Sequence, residues 1–274
     1  MTKSSTNLSF YHGGHIGDVI FSLYTIRSAG GGSVVLGPGQ ESMWGHAEID
    51  ALLPLLNAQS YITAARRIEG GERFKPTYDF REIGKLRNPR DFFEWDERVW
   101  PGNCMLKKRY FNGYWSDNGM SIPQQMLMYN EHAWLDAPKA PGYDIVFHSP
   151  LRKMNECRGV SDWIDILREL SVTTQARILL ITGPDDKGDW PECKHYVKLV
   201  PKDLLVAAGY INSAKLFMGA ASSGLTIAEG LDKFRLYDMS PEAEGADPMN
   251  ARGWDTTKWS HNRMVSAAKV ILNG

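Results

Sequence analysis

The first readable pattern in the chain is Leu8-Ser9-Phe10-Tyr11-His12-Gly13-Gly14-His15-Ile16-Gly17-Asp18. A short β-like run enters a glycine-rich turn, and Val19, Ile20, Leu23 and Ile26 then recur at helical spacing as far as Arg27. Gly30-Gly31-Gly32 stops that helix, as glycines past a C-terminus do. Ser33-Val34-Val35-Leu36 follows as a second strand, closed by Gly37-Pro38-Gly39. A β-α-β order implies a parallel pair joined by a right-handed crossover, and this sets the fold class as α/β.

Further along, the spacing predicts a helix around Ile49 to Leu56 and a strand near Tyr61-Ile62. From about Phe74 to Leu135 the chain is rich in aromatics and turn residues, and the pattern assigns no elements there. Ala137-Pro138-Lys139-Ala140-Pro141-Gly142 resists both helix and strand and reads as a linker. It divides the chain into an N-terminal Rossmann-like domain, 1–138, and a C-terminal one, 139–274. The pattern then restarts. Strands are expected at Asp144 to His148, Arg177 to Thr182 and Lys215 to Met218. Helices are expected at Val160 to Leu170, with Trp163, Ile164, Leu167 and Leu170 on one face, at Leu204 to Ala214, and from Thr226 to Leu231. Alternating strands and helices predict a doubly wound sheet in each half.

Composition narrows the classes. At 274 residues with 43% hydrophobic content and nine tryptophans, the chain has ample core material. Its formal net charge of −1 lacks the basic excess of a dedicated nucleic-acid binder. Cys104, Cys157 and Cys193 form no C-x-x-C pair and leave one thiol over, which fits a reducing cytoplasm. The N-terminus lacks a signal-peptide pattern, and no apolar run approaches the length of a membrane span.

Two turns carry the chemistry. In the first, glycines let amides approach a ligand, and Gly17-Asp18 lies where a helix offers free donors and a positive pole. Asp18 is held as an anion there and is able to accept a proton; equally, it is able simply to cap the helix. The second turn is Met218-Gly219-Ala220-Ala221-Ser222-Ser223-Gly224-Leu225-Thr226, placed where a strand ends and a helix starts. Ser222, Ser223 and the amides of Gly224 and Leu225 suit a diphosphate, or the stretch is a tight turn with a serine cap. Spacing excludes several motifs. Gly13-Gly14-x-x-Gly17 is not G-x-G-x-x-G and no acidic residue follows the second strand, so a dinucleotide cofactor is disfavoured. There is no P-loop, and Ser223 does not stand in G-x-S-x-G. His12 and His15 have no evident third ligand, so no metal site is expected.

Together the turns resemble glycosyltransferases of the GT-B fold, and in particular the heptosyltransferases of glycosyltransferase family 9. That family begins with glycine-aspartate, an apolar helix and arginine, matched here by Gly17-Asp18 through Arg27. Its C-terminal signature is a helix of the alanine-x-leucine-phenylalanine-x-glycine type running into a serine-glycine turn. Ser213-Ala214-Lys215-Leu216-Phe217-Met218-Gly219 and Ser222 to Leu231 match it, and His148-Ser149-Pro150 and Gly183-Pro184-Asp185 fall in the family's order. The resemblance implies two Rossmann-like domains facing a cleft, and inverting, metal-independent transfer from a nucleotide-sugar with no further cofactor. It makes Asp18 the general base, with Gly14, His15 and Gly17 on the acceptor side. His148, Ser149, Gly183 and the Ser222, Ser223, Gly224, Leu225, Thr226 turn would hold the donor, with Lys153 or Arg158 neutralising phosphate charge. Ser222 stands where the family commonly has an acidic residue and Ile227 where it often has histidine; Glu229 is the candidate replacement carboxylate.

The acceptor is a saccharide or a hydroxymethylated DNA base. The second option comes from Arg66, Arg67, Arg73, Lys75, Arg81, Lys85, Arg87, Arg90 and then Lys107-Lys108-Arg109, interleaved with aromatics. A solvated surface over core aromatics explains the same residues. The competing classes are a non-catalytic GT-B-like binder or scaffold and a Rossmann oxidoreductase. The sequence leaves the oligomeric state open.

Overall fold

The computed structural model describes residues 8–13, 16–28, 30–37, 46–70, 72–79, 133–148, 157–183, 190–239 and 252–274. The chain forms two compact units; Trp134–Asp136 belongs to the first and Ala137–Lys202 to the second.

The first unit holds β1 (Ser9–His12), α1 (Ile16–Ser28), β2 (Gly32–Leu36), α2 (His46–Asn57), β3 (Ile62–Arg67) and β4 (Tyr78–Asp79). Its four-stranded sheet has the order β3-β2-β1-β4, and each pair is parallel. The helix stop expected at the glycine triplet is a Schellman turn. The Gly31 amide donates to the Ile26 carbonyl and the Gly30 amide to the Arg27 carbonyl, with φ of +91° and +88°. Two successive positive φ values explain why glycine stands at both places. Val19, Ile20, Leu23 and Ile26 of α1 are at most 1% exposed, so the periodicity read from the sequence is the buried face.

The second unit holds β5 (Ile145–His148), α3 (Val160–Thr174), β6 (Ile178–Ile181), β7 (Val197–Leu199), α4 (Leu204–Ser213), β8 (Leu216–Ala220), α5 (Ser223–Gly230), β9 (Phe234–Asp238), β10 (Gly253–Asp255) and α6 (His261–Asn273). Its six strands are ordered β10-β9-β8-β5-β6-β7, all parallel. Renumbered from β5, this is the 3-2-1-4-5-6 order of the doubly wound fold. Ile145, Phe147, Ile178, Leu180, Leu216, Met218 and Leu236 turn to one face and share a core with α3 and α6. The alternating Val146, Leu179 and Phe217 are at most 1% exposed as well, so both faces of the sheet are covered.

The strand expected at Lys215 to Met218 is β8, so Ser213 to Gly219 spans the end of α4 and most of a strand where the family signature describes a helix. On α3, Ile166 rather than Ile164 completes the buried row with Trp163, Leu167 and Leu170. The short or edge strands β4, β7 and β10, the inner strand β9 and α6 were not legible in the pattern.

The core beneath β5 is aromatic. Phe147 lies 4.9 Å from Trp163 and 5.2 Å from Trp190 between ring centroids, and Trp190 meets Tyr196 edge-on at 6.3 Å. Trp163 is 1% exposed. Trp163→Ala is expected to destabilise the second unit by about 3–5 kcal/mol, through lost transfer energy and an uncollapsed cavity. Denaturant unfolding read in the far ultraviolet measures it.

Candidate functional site

In an open parallel sheet, adjacent strands whose crossovers leave in opposite directions splay their connecting loops and open a crevice at the carboxyl edge. In the second unit that position lies between β5 and β8. β5 ends there at His148, and β8 ends at Gly219-Ala220 and leads through Ala221-Ser222 into α5.

The junction is made by close approach. Gly219 has φ +149°, and a Cβ at that position would lie 1.8 Å from the His148 carbonyl oxygen. Gly224, in the first turn of α5, is also against the histidine: an added Cβ would sit 3.0 Å from Nδ1 and 3.2 Å from the Phe217 ring. Glycine at 219 and 224 therefore lets the start of α5 settle on the end of β5.

Ser222 joins the two. It is the N-cap of α5, with extended backbone, and its Oγ accepts from the Leu225 amide at 3.3 Å. The same Oγ lies 2.8 Å from His148 Nδ1. The hydroxyl keeps a proton and a second lone pair, so it either donates to a neutral ring at Nδ1 or accepts from it. Burial pushes the His148 pKa down to about 4, in agreement with a neutral ring.

The other sequence-predicted donor residues divide. The Leu225 amide is taken by the cap, and the Thr226 amide by the Ser222 carbonyl. The Thr226 hydroxyl turns back to the Ser222 carbonyl at 3.3 Å, and Leu225 is 3% exposed. Leu225 and Thr226 are thus built into the helix start, and among the described residues the amides of Ser223 and Gly224 are those of the first turn left to a ligand. Gly183 follows β6 at the same carboxyl edge and is half-buried.

Glu229 is not a surface carboxylate. It is fully buried in α5, and its charge acts on Arg235 of β9, likewise fully buried. Burial lowers the Arg235 pKa, with Glu229 the first charge opposing it.

Arg158 is held by contacts within the second unit. Its guanidinium pairs with Asp238 at the end of β9. It also donates to the Thr256 carbonyl at 2.8 Å and to the Trp259 carbonyl, and lies 5.5 Å over the Trp163 ring. The Arg158 amide donates to Asp238 Oδ2 at 2.9 Å and the Thr256 hydroxyl to Oδ1 at 3.0 Å. Burial raises the Asp238 pKa against these contacts. Asp238, Thr256 and Trp259 had no sequence signal, because each contact joins residues far apart in the chain.

In the first unit the equivalent position lies between β1 and β4, where α1 begins. Gly17 is half-buried in the first turn of α1. The Asp18 backbone belongs to α1, but its side chain, and Gly14, His15, Ser149 and Lys153, lie outside the described residues. Arg66 and Arg67 at the end of β3 pair with Glu72 and Asp50. Among the described residues no cluster of three or more histidine, cysteine or acidic side chains is arranged to hold a metal ion. No helix among them is long and apolar enough to cross a membrane.

No family model matches the sequence, and no curated protein does. Solved structures match over almost the whole chain. A glycosyl transferase family 9 protein from Veillonella parvula aligns with TM-score 0.57 and 11% identity, covering 97% of each chain. Escherichia coli heptosyltransferase WaaC, solved with ADP, aligns with TM-score 0.57 and 11% identity over 96% of this chain and 99% of its own. The ADP-heptose LPS heptosyltransferase II of the same organism gives TM-score 0.56 and 11% identity over 98% and 99%. The fold is thus that of GT-B glycosyltransferases of family 9 type.

The His148–Ser222 contact has a consequence for acid stability. His148 binds a proton more weakly folded than unfolded, so the unfolded chain takes up the extra proton between pH 6.5 and about 4. Stability contributed by the neutral ring is complete above pH 6.5 and is lost as pH falls to about 4, on the order of 2–3 kcal/mol in all. His148→Asn keeps a hydrogen-bond partner for Ser222 without that titration. Its unfolding free energy is expected to fall less steeply than that of the parent across this window.

Proposed function

We propose that this protein is a glycosyltransferase that moves a sugar from a nucleotide-sugar donor to an acceptor hydroxyl. The observation that carries the reading is the site at the β5/β8 switch point, set in a chain whose whole length aligns with family 9 transferases. The neutral His148, the capping Ser222 and the amides of Ser223 and Gly224 left open by the helix start form an anion-receptive edge. One structural neighbour was solved with ADP and another with ADP-2-deoxy-2-fluoro heptose, which supports a nucleoside diphosphate as the donor's anchor.

In this reading Asp18, at the start of α1, takes the proton from the acceptor hydroxyl as its oxygen attacks the anomeric carbon. The bond from that carbon to the diphosphate breaks in the same step. The sugar is inverted, and the nucleoside diphosphate leaves with its charge held by the α5 amides. No metal or second cofactor takes part. The acceptor is a saccharide or a hydroxymethylated base in DNA. Most of the basic, aromatic segment behind the second option lies outside the described residues. The reading places the protein in a reducing compartment such as the cytoplasm, where a thiol such as Cys193 persists.

Thermal melting against ADP-, UDP-, GDP- and CMP-sugars tests the donor half. One diphosphate sugar is expected to raise the midpoint in proportion to its occupancy, whereas a scaffold without a donor site would respond to none. With the matching pair of substrates, Asp18→Asn is expected to lower kcat by at least about 100-fold while donor binding persists. Full activity in that variant would remove Asp18 as the base.

A further inference from the structure

Helices and strands run in opposite directions in a doubly wound sheet, so helix C-termini gather at the amino edge of the strands, away from the site above. That edge is basic in the second unit. Arg177 precedes β6, Lys194 and His195 precede β7, Lys215 precedes β8, Lys233 precedes β9 and Arg252 precedes β10. Helix C-termini attract cations, which accounts for part of the row. The Lys215 ammonium, for example, donates to the Leu272 carbonyl near the end of α6.

Helix dipoles do not account for the aromatic side chains placed there. Phe234 opens β9 and Trp254 is the middle residue of β10. Trp254 pairs in register with Leu236, two residues on from Phe234, so both rings fall on one face of the sheet. They are stacked at 6.2 Å with 10° between planes, yet remain 37% and 39% exposed. The Arg252 guanidinium lies 5.3 Å from the Phe234 ring centre. β10 ends the sheet order, so the stack sits at an edge.

Among the described residues, three cations (Lys139, Lys233 and Arg252) and two acids (Asp232 and Asp255) stand near this stack. Asp232 pairs with Arg252 at 3.2 Å, while Asp255 is turned to Thr257. Burial, then the charges of Lys139 and Arg252, lower the Lys233 pKa, so three cations share the neighbourhood. At the other end of the same edge, Tyr143, Tyr210, Arg177, Lys194 and His195 line a depression of about 660 Å³. Among the described residues, Arg177 and Lys194 have no ion-pair partner. Asp144, before β5, is the acid between the two ends, and its carboxylate accepts the Arg177 amide at 2.9 Å. Six strands set these ends ~24 Å apart.

We infer that the amino edge of the second sheet binds single-stranded nucleic acid, with bases stacking on Trp254 and the phosphates following Arg252, Lys233, Lys139 and the Arg177 side. A planar group for the indole and a repeating anion for the cations are both needed, and a nucleic-acid strand supplies them together. The surface belongs to the second unit alone, so it does not depend on the transferase reading.

The test is fluorescence anisotropy of labelled single-stranded DNA and RNA of about 12 nucleotides at about 50 mM salt. Binding that weakens with salt is expected. Trp254→Ala should weaken it at least ~5-fold while Trp254→Phe restores most of it. Lys233→Gln with Arg252→Gln should reduce the salt slope by about 1.4, from ~0.7 for each phosphate no longer neutralised. No binding, or binding indifferent to Trp254→Ala, overturns the inference. So does equal competition by heparin that ignores Trp254, which would mark a general polyanion surface. Sedimentation showing Trp254-dependent dimers and no oligonucleotide binding would instead make the edge a self-association face. Donor-induced thermal shifts should be unchanged in the Trp254 variants, so failure here is separable from failure of the transferase reading.

Discussion

The organisation of the second unit depends on the approach of Gly219 to the His148 carbonyl. Here the sheet changes the direction in which its connections leave, and the end of β8 must pass β5 with no space for a Cβ. Once that approach is made, the start of α5 lies over the end of β5. Ser222 then satisfies two polar needs with one hydroxyl: it accepts the Leu225 amide and shares a hydrogen bond with His148. A buried imidazole without that partner would carry an unmet polar nitrogen, a cost on the order of 1–3 kcal/mol.

Charge is sorted along the strands. At the carboxyl edge, the Arg158–Asp238 pair is bound into Thr256 and Trp259, while the histidine nearest the crevice is neutral. Among the described residues, the helix amides that remain are then the positive feature there, which suits an anion that must arrive and leave. At the amino edge the charges are full cations on exposed side chains beside exposed rings. One sheet thereby offers two chemically different margins.

Both strand-to-helix turns were legible in the sequence, because glycine clusters and a change of period from two to 3.6 mark them strongly. Pro138, Pro141 and Gly142 fall in a stretch without helix or strand, as their residue types suggest. Less of the site could be read. Arg158 and Glu229 read as ligand-facing charges, and periodicity says nothing about the distant Asp238 and Arg235 beside them. Strand β9 was obscured by its own buried Arg235 and Asp238, which break an apolar run. Short edge strands such as β10 have too few residues for a period, and α6 buries Ala268 among larger residues, a weak signal. Ser222 was noticed, but its partner at His148 follows only from the register of β5 with β8.

The strand order also bears on how the unit forms. β5 comes first in the second unit but ends in the middle of the sheet, between β6 and β8. Its pairing with β8 waits until residues near 216–220 have been made. Until then the Ile145-Val146-Phe147 run presents one unsatisfied edge and apolar faces to whatever is near. During synthesis the nascent chain therefore passes through an interval in which β5 and β6 alone present an open pairing edge, and the non-local closure by β8 is the kind of contact that slows folding.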